Sequence, residues 1–160
     1  MTEELDRSGV LVQKAEIGSP AAQALIGLLN AELTDRYPEE GARHFRVDPD
    51  EVATGRGAFL IASKSGQLIG CGAVRRIDER TGEIKRMYVS PEERGRGAGR
   101  ALLRALETEA RTLGISRLVL ETGVRQPEAI ALYQRAGFSR IAPFGEYVGS
   151  PLSVCMAKDV

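Results

Sequence analysis

Apolar positions recur along this chain at two spacings, every second residue and every third or fourth, and the alternation between them predicts the order of elements. Residues 10–15 alternate as a strand. Ser19-Pro20, an N-cap followed by a first-turn proline, then opens a helix whose apolar face runs through Leu25, Ile26, Leu28, Leu29 and Leu33. From 34 to 57 the periodicity fades into loop, interrupted by a short capped helix at 48–52. Residues 58–63 and 67–77 read as strands joined through Lys64-Ser65-Gly66, a hairpin signal. Glu79-Arg80-Thr81-Gly82 turns the chain into a further strand from Glu83, which completes an antiparallel meander. A helix over 97–113 carries Ala98, Ala101, Leu102, Ala105, Leu106, Ala110 and Leu113 at helical spacing and stops at Gly114. A strand over 115–121, a helix from Gln126-Pro127-Glu128 to Gly137, and a closing strand over 152–157 follow.

One strand breaks its own pattern. Strict alternation puts Glu83, Lys85, Met87 and Val89 on one face and Ile84, Arg86, Tyr88 and Ser90 on the other, so both faces mix charge with apolar bulk. A β-bulge near Arg86 to Tyr88 resolves the conflict. It would also splay this strand from a parallel neighbour at 115–121 and leave main-chain groups unpaired.

The segment after that strand is rich in glycine. Gly95, Gly97 and Gly99 lie between a strand and a helix, where glycine reaches positive φ at low cost and backbone amides can approach an anion. Spacing separates the candidate sites. A triphosphate loop needs Gly-Lys-Ser/Thr after four residues, and the chain has no Gly-Lys pair. A dinucleotide fingerprint needs glycine where Arg100 stands, although Glu121 lies where a ribose-binding acid would be expected.

Arg94-x-x-Gly97-x-Gly99 resembles the Arg/Gln-x-x-Gly-x-Gly/Ala pyrophosphate loop of the GCN5-related N-acetyltransferase (GNAT) superfamily. The flanks agree. Glu83 to Val89 before the loop, and Glu121-Thr122, Gln126, Ala129, Tyr133 and Gly137-Phe138 after it, follow the family order, so the resemblance covers 83–138. It implies an α/β GNAT fold: a central, mostly antiparallel twisted sheet with helices on both faces, its fourth and fifth strands parallel and splayed. Pantetheine would lie in the splay against the main chain of Met87, Tyr88 and Val89, with a Val89 amide polarising the thioester carbonyl. The amides of Arg94, Gly95, Arg96, Gly97, Ala98, Gly99 and Arg100 would hold the pyrophosphate, the arginines adding charge. Gln126 stands where asparagine is usual and would touch pantetheine.

Composition narrows the picture further. At 160 residues the chain is the size of one domain, and 1–160 is expected to be a single acetyltransferase domain. Basic and acidic residues both number 22, so no net charge draws it to nucleic acid or an anionic membrane. With one histidine and two distant cysteines, Cys71 and Cys155, no metal is expected, and both thiols read as buried and reduced. No apolar run approaches spanning length and no signal core precedes the first strand, so the expected location is the cytoplasm. An exposed last strand offers a homodimer contact.

Acetyl transfer from acetyl-CoA needs a neutral amine, a polarised carbonyl and a proton for the departing thiolate. By the resemblance, Glu83 is the candidate base, eleven residues before Arg94, a spacing found in protein-acetylating members. Tyr133 is the candidate acid toward the CoA sulfur. The acceptor pocket would draw on 34–50 and 143–153, where Arg43, His44, Phe45, Arg46, Glu146 and Tyr147 could hold a small zwitterion. A compact chain favours a small-molecule amine as acceptor, attacked directly in a ternary complex. Two alternatives stay open: a protein lysine or N-terminus as acceptor, and a non-catalytic acyl-CoA sensor.

Overall fold

The computed structural model describes residues 4–5, 8–40 and 47–160. Its strands are β1 (Glu4–Leu5), β2 (Leu11–Lys14), β3 (Gly57–Lys64), β4 (Gln67–Arg76), β5 (Thr81–Val89), β6 (Arg117–Gly123), β7 (Ser139–Ile141) and β8 (Ser153–Asp159). Its helices are α1 (Pro20–Arg36), α2 (Ala98–Thr112) and α3 (Pro127–Arg135). The strands form one sheet in the order β1-β2-β3-β4-β5-β6-β8-β7. Every neighbouring pair is antiparallel except β5 and β6, which are the fourth and fifth strands expected from the sequence.

Alternation along the central strands sorts the core into two layers. Ala58, Leu60, Ala62 and Val74 face α2, whose Leu102, Leu103, Leu106 and Ala110 are buried against them, with Tyr133 and Phe138 in the same layer. Phe59, Cys71, Ala73 and Tyr88 face the other way, onto Ala22, Leu25 and Leu29 of α1. Helix α1 starts as the sequence predicts: the Ser19 hydroxyl accepts from the Ala22 amide at 3.2 Å, and Pro20 occupies the first turn, where a missing N–H costs nothing. The hairpin after β3 turns on Ser65 (φ 51°) and Gly66 (φ 80°), the positive-φ pair a two-residue connection requires.

The expected bulge is present. Cys71 pairs with Tyr88 and Ala73 with Lys85, so β5 advances three residues while β4 advances two. The extra residue is absorbed at Arg86, in the left-handed region at φ 58°. A non-glycine residue there is strained by about 1–2 kcal/mol. Its guanidinium donates to Asn30 Oδ1 on α1, and its carbonyl accepts from the Cys71 thiol at 3.2 Å, which helps to hold it there. Parallel pairing of β5 with β6 runs from Thr81–Arg117 to Ile84–Leu120 and stops there. Beyond Ile84 the two strands diverge, and the divergence positions the site.

Candidate active site

The glycine-rich loop folds as a single 3₁₀ turn, Pro91–Glu93, followed by two left-handed glycines, Gly95 at φ 76° and Gly97 at φ 95°. Gly97 is the N-cap of α2, and the first intrahelical bond runs from the Ala101 amide to its carbonyl at 3.0 Å. The amides of Ala98, Gly99 and Arg100 therefore precede the helical ladder, with the positive end of the dipole behind them. The Arg94 amide is engaged by the Pro91 carbonyl. Its side chain works instead: Nε donates to the Val89 carbonyl at 2.9 Å, Nη2 to Glu32 Oε1 at 2.6 Å, and the guanidinium lies over the Tyr88 ring.

A groove of about 630 Å³ runs from this loop between α3 and the tip of β5, within the size range of cofactor pockets. Nine of the residues expected to bind the cofactor line it: Met87, Tyr88, Val89, Arg94, Gly95, Gly97, Gly99, Arg100 and Gln126. The other two do not. The Arg96 side chain is exposed, and the Ala98 methyl is buried in the core, leaving only backbone for a ligand. Gln126 precedes α3 but does not cap it with its side chain. Its Oε1 instead accepts from the Gly123 amide at 3.1 Å, and the Tyr37 hydroxyl lies 3.5 Å away. A side chain on Gly123 would collide with both partners, so that position requires glycine.

A second cavity opens on the α1 side of the splay. Leu29, Leu33 and Tyr37 of α1 and its end wall it, Lys85 and Arg86 of β5 and Glu121 and Thr122 of β6 form its floor, and Tyr147 and Leu152 close it. Met87, Gln126 and Tyr133 line both cavities, so the two meet at these three residues. Tyr133 is 5% exposed, with its ring edge-on to Phe138 at 5.9 Å. Burial, and then the charge of Glu121, push its phenol well above the ordinary value, so it stays protonated and able to donate.

Glu83 is 1% exposed and does not line either cavity. Arg75 grips Oε1 from Nε at 3.0 Å and Nη2 at 2.7 Å, and Oε2 accepts from the Tyr147 hydroxyl at 2.6 Å. Burial and then this carboxylate raise the Tyr147 pKa, and Glu51 binds the far side of Arg75. Glu146, expected beside the acceptor, points its carboxylate at Lys85 Nζ at 3.5 Å. Arg43, His44, Phe45 and Arg46 lie outside the described residues. Tyr37, Lys85, Arg75 and the apolar wall of α1 join the site without a sequence motif to mark them. Tyr37 sits in a stretch that reads as loop, and the only signal for Lys85 is its place in the irregular strand. Cys71 is buried with its thiol pushed up to about 12, first by burial.

The architecture matches a known family across most of the chain. The family model for GNAT acetyltransferases covers residues 22–138. This chain belongs to the GNAT family. A relative from Azospirillum brasilense named IAA acetyltransferase is 45% identical over 145 residues, spanning 88% of this chain and 93% of its own. A solved structure from Klebsiella pneumoniae, of a protein assigned to the acyl-CoA N-acyltransferases, is 34% identical, covers 96% of this chain and 99% of its own, and superposes with a TM-score of 0.78. A GNAT family acetyltransferase from Elizabethkingia anophelis, solved with acetyl-CoA bound, shares the fold at 20% identity and a TM-score of 0.67, covering 95% and 99% of the two chains. The protein is thus an N-acetyltransferase of the acyl-CoA-dependent kind. Among the described residues no helix is long and apolar enough to cross a membrane.

Proposed function

We propose that this GNAT enzyme moves an acetyl group from acetyl-CoA to the primary amine of a small molecule, by direct attack while both are bound. The observation that carries the reading is the meeting of two cavities at Met87, Gln126 and Tyr133, with a protonated phenol at the junction. The IAA acetyltransferase relative supports a small acceptor. The loop amides and Arg100 suit a pyrophosphate, and the groove between β5 and α3 suits the pantetheine arm.

The residues then divide the proton work. The ammonium of the acceptor loses one proton to Glu83 by way of Tyr147, which lines the cavity and whose hydroxyl already donates to that carboxylate. The freed amine attacks the thioester carbon: a C–N bond forms, the C–S bond breaks, and Tyr133 protonates the departing thiolate. The second amine proton, released as the amide forms, restores the phenol. No cysteine takes part in this scheme. Cys71 is sealed in the α1 layer, bonded to the Arg86 carbonyl.

Thiol release from acetyl-CoA across a panel of small amines and lysine peptides tests the proposal. Amine-dependent release, larger with small amines and greatly reduced by Tyr133→Phe, is the expected result. Preferred acetylation of peptides would give the acceptor role to proteins, CoA binding without turnover on any acceptor would make the chain a sensor, and a stable acetyl-cysteine formed from acetyl-CoA alone would overturn direct attack.

A further inference from the structure

The floor of the acceptor cavity places opposite charges face to face. The last parallel pair is Ile84–Leu120, so the next positions of the register are Lys85 on β5 and Glu121 on β6, at the apex of the splay. Partners in a parallel ladder project from the same side of the sheet, and both residues line the cavity on the α1 side. The Lys85 side chain is 5% exposed, and the ion pair it makes with Glu146 is long, 3.5 Å, to a carboxylate that is itself 48% exposed. A second cation, Arg86, lines the same floor while its guanidinium binds Asn30. Glu121 is steadied from β8, where the Ser153 hydroxyl donates to Oε2 at 2.7 Å. Above this floor the walls turn apolar, through Leu29 and Leu33 of α1 and Leu152 before β8.

A cation and a carboxylate at the bottom of an apolar-walled recess suit a ligand with the complementary arrangement. We infer that the acceptor is a free amino acid, its amino group held by Glu121, its carboxylate held by Lys85, and its side chain directed along the leucines of the wall. This rests on the acetyl-transfer reading and narrows its acceptor. A substrate carboxylate reaching Lys85 meets an ammonium whose side chain is 5% exposed, and desolvation strengthens such a pair. Glu121 and Tyr133 line the same cavity, so an amino group bound to Glu121 shares that cavity with the phenol proposed to serve the leaving sulfur.

The experiment compares each of the common amino acids with its carboxamide and with the matching amine that lacks the carboxyl group, following thiol release from acetyl-CoA by wild type, Lys85→Met and Glu121→Gln. Calorimetric titration of the same compounds into the protein saturated with CoA gives a readout independent of turnover. Wild type should favour amino acids over their amides by about 10- to 100-fold in kcat/KM, the worth of one charge-assisted contact. Lys85→Met should remove that preference by raising KM for the amino acids alone, and Glu121→Gln should weaken all the amines together. Equal use of acids and amides by wild type overturns the inference and leaves acetyl transfer to small amines standing. Carboxylate-dependent binding with no thiol released on any acceptor would keep the assigned ligand class and overturn the catalytic reading. The wild-type comparison needs no variant, so a Lys85→Met protein that fails to fold does not protect the inference.

Discussion

At the residue scale, the acid role proposed for Tyr133 rests on surroundings that hold it in one protonation state. A phenol donates only below its pKa, and burial together with the Glu121 charge moves that limit upward from about 10. The donor is therefore present across the whole working range. The expected pH profile of kcat rises as the acceptor amine deprotonates and shows no fall up to about pH 10. Tyr133→Phe removes the donor while keeping the ring against Phe138, so kcat should drop about 10²- to 10⁴-fold with KM for acetyl-CoA nearly unchanged. A descending limb near pH 9 in wild type, or full activity in the variant, would assign the proton to another group. Cys71 shows the same physics in a thiol. A thiol near pKa 12 is thiolate to only about one part in 10⁴ at pH 8, so the folded enzyme should resist an aromatic disulfide reagent that titrates both cysteines after unfolding.

At the element scale, the loop depends on backbone conformations that only glycine adopts cheaply, and this predicts substitutions of opposite sign. Gly97 sits at φ 95° as the N-cap of α2, with the Ser8 side chain 3.2 Å from where a Cβ would stand. Gly97→Ala should cost about 1–2 kcal/mol, seen as a thermal midpoint lower by about 2–8 °C, with weakened acetyl-CoA binding. Gly27, in the exposed middle of α1 with open space around it, should respond the other way: Gly27→Ala should stabilise by about 0.5–1 kcal/mol without touching the kinetics. This difference also explains what the sequence could reveal. Most of the residues proposed for the cofactor lie in one contiguous strand, loop and helix start, Met87 to Arg100, and the bulge there is visible as a conflict between the two faces of β5. The cavity proposed for the acceptor is assembled from α1, β5, β6 and the segment before β8, and no spacing rule joins Tyr37 to Gln126 or Glu83 to Tyr147 across 89 and 64 residues. The partners of Glu83 are Arg75 and Tyr147, supplied by the neighbouring strand and a distant turn. Strands β1 and β7, of two and three residues, are too short for periodicity to register.

At the scale of the molecule, the groove joins elements that otherwise touch little. Glu32 and Arg36 come from α1, Arg94 to Arg100 from the loop and α2, and Ala129 to Ala136 from α3 and its end, so a bound acetyl-CoA would tie both helical layers to the splayed centre of the sheet. Without it those layers are joined there by ion pairs, Arg36–Glu128 and Arg125–Glu39, whose members are 25–50% exposed. Exposed pairs of this kind contribute about 0–1 kcal/mol each, so they set position more than stability. Ligand binding contributes more than either pair. At a concentration 100 times its Kd, a ligand that binds only the folded state stabilises by about 2.7 kcal/mol, which for a domain of this size raises the thermal midpoint by about 5–11 °C. Scanning calorimetry with acetyl-CoA and with CoA should show that rise for both, because the shared contacts are to pyrophosphate and pantetheine and not to the acetyl group. A rise with adenosine triphosphate as large as with CoA at matched concentration would mean that the loop alone binds, and would remove the splay between β5 and β6 from the cofactor site.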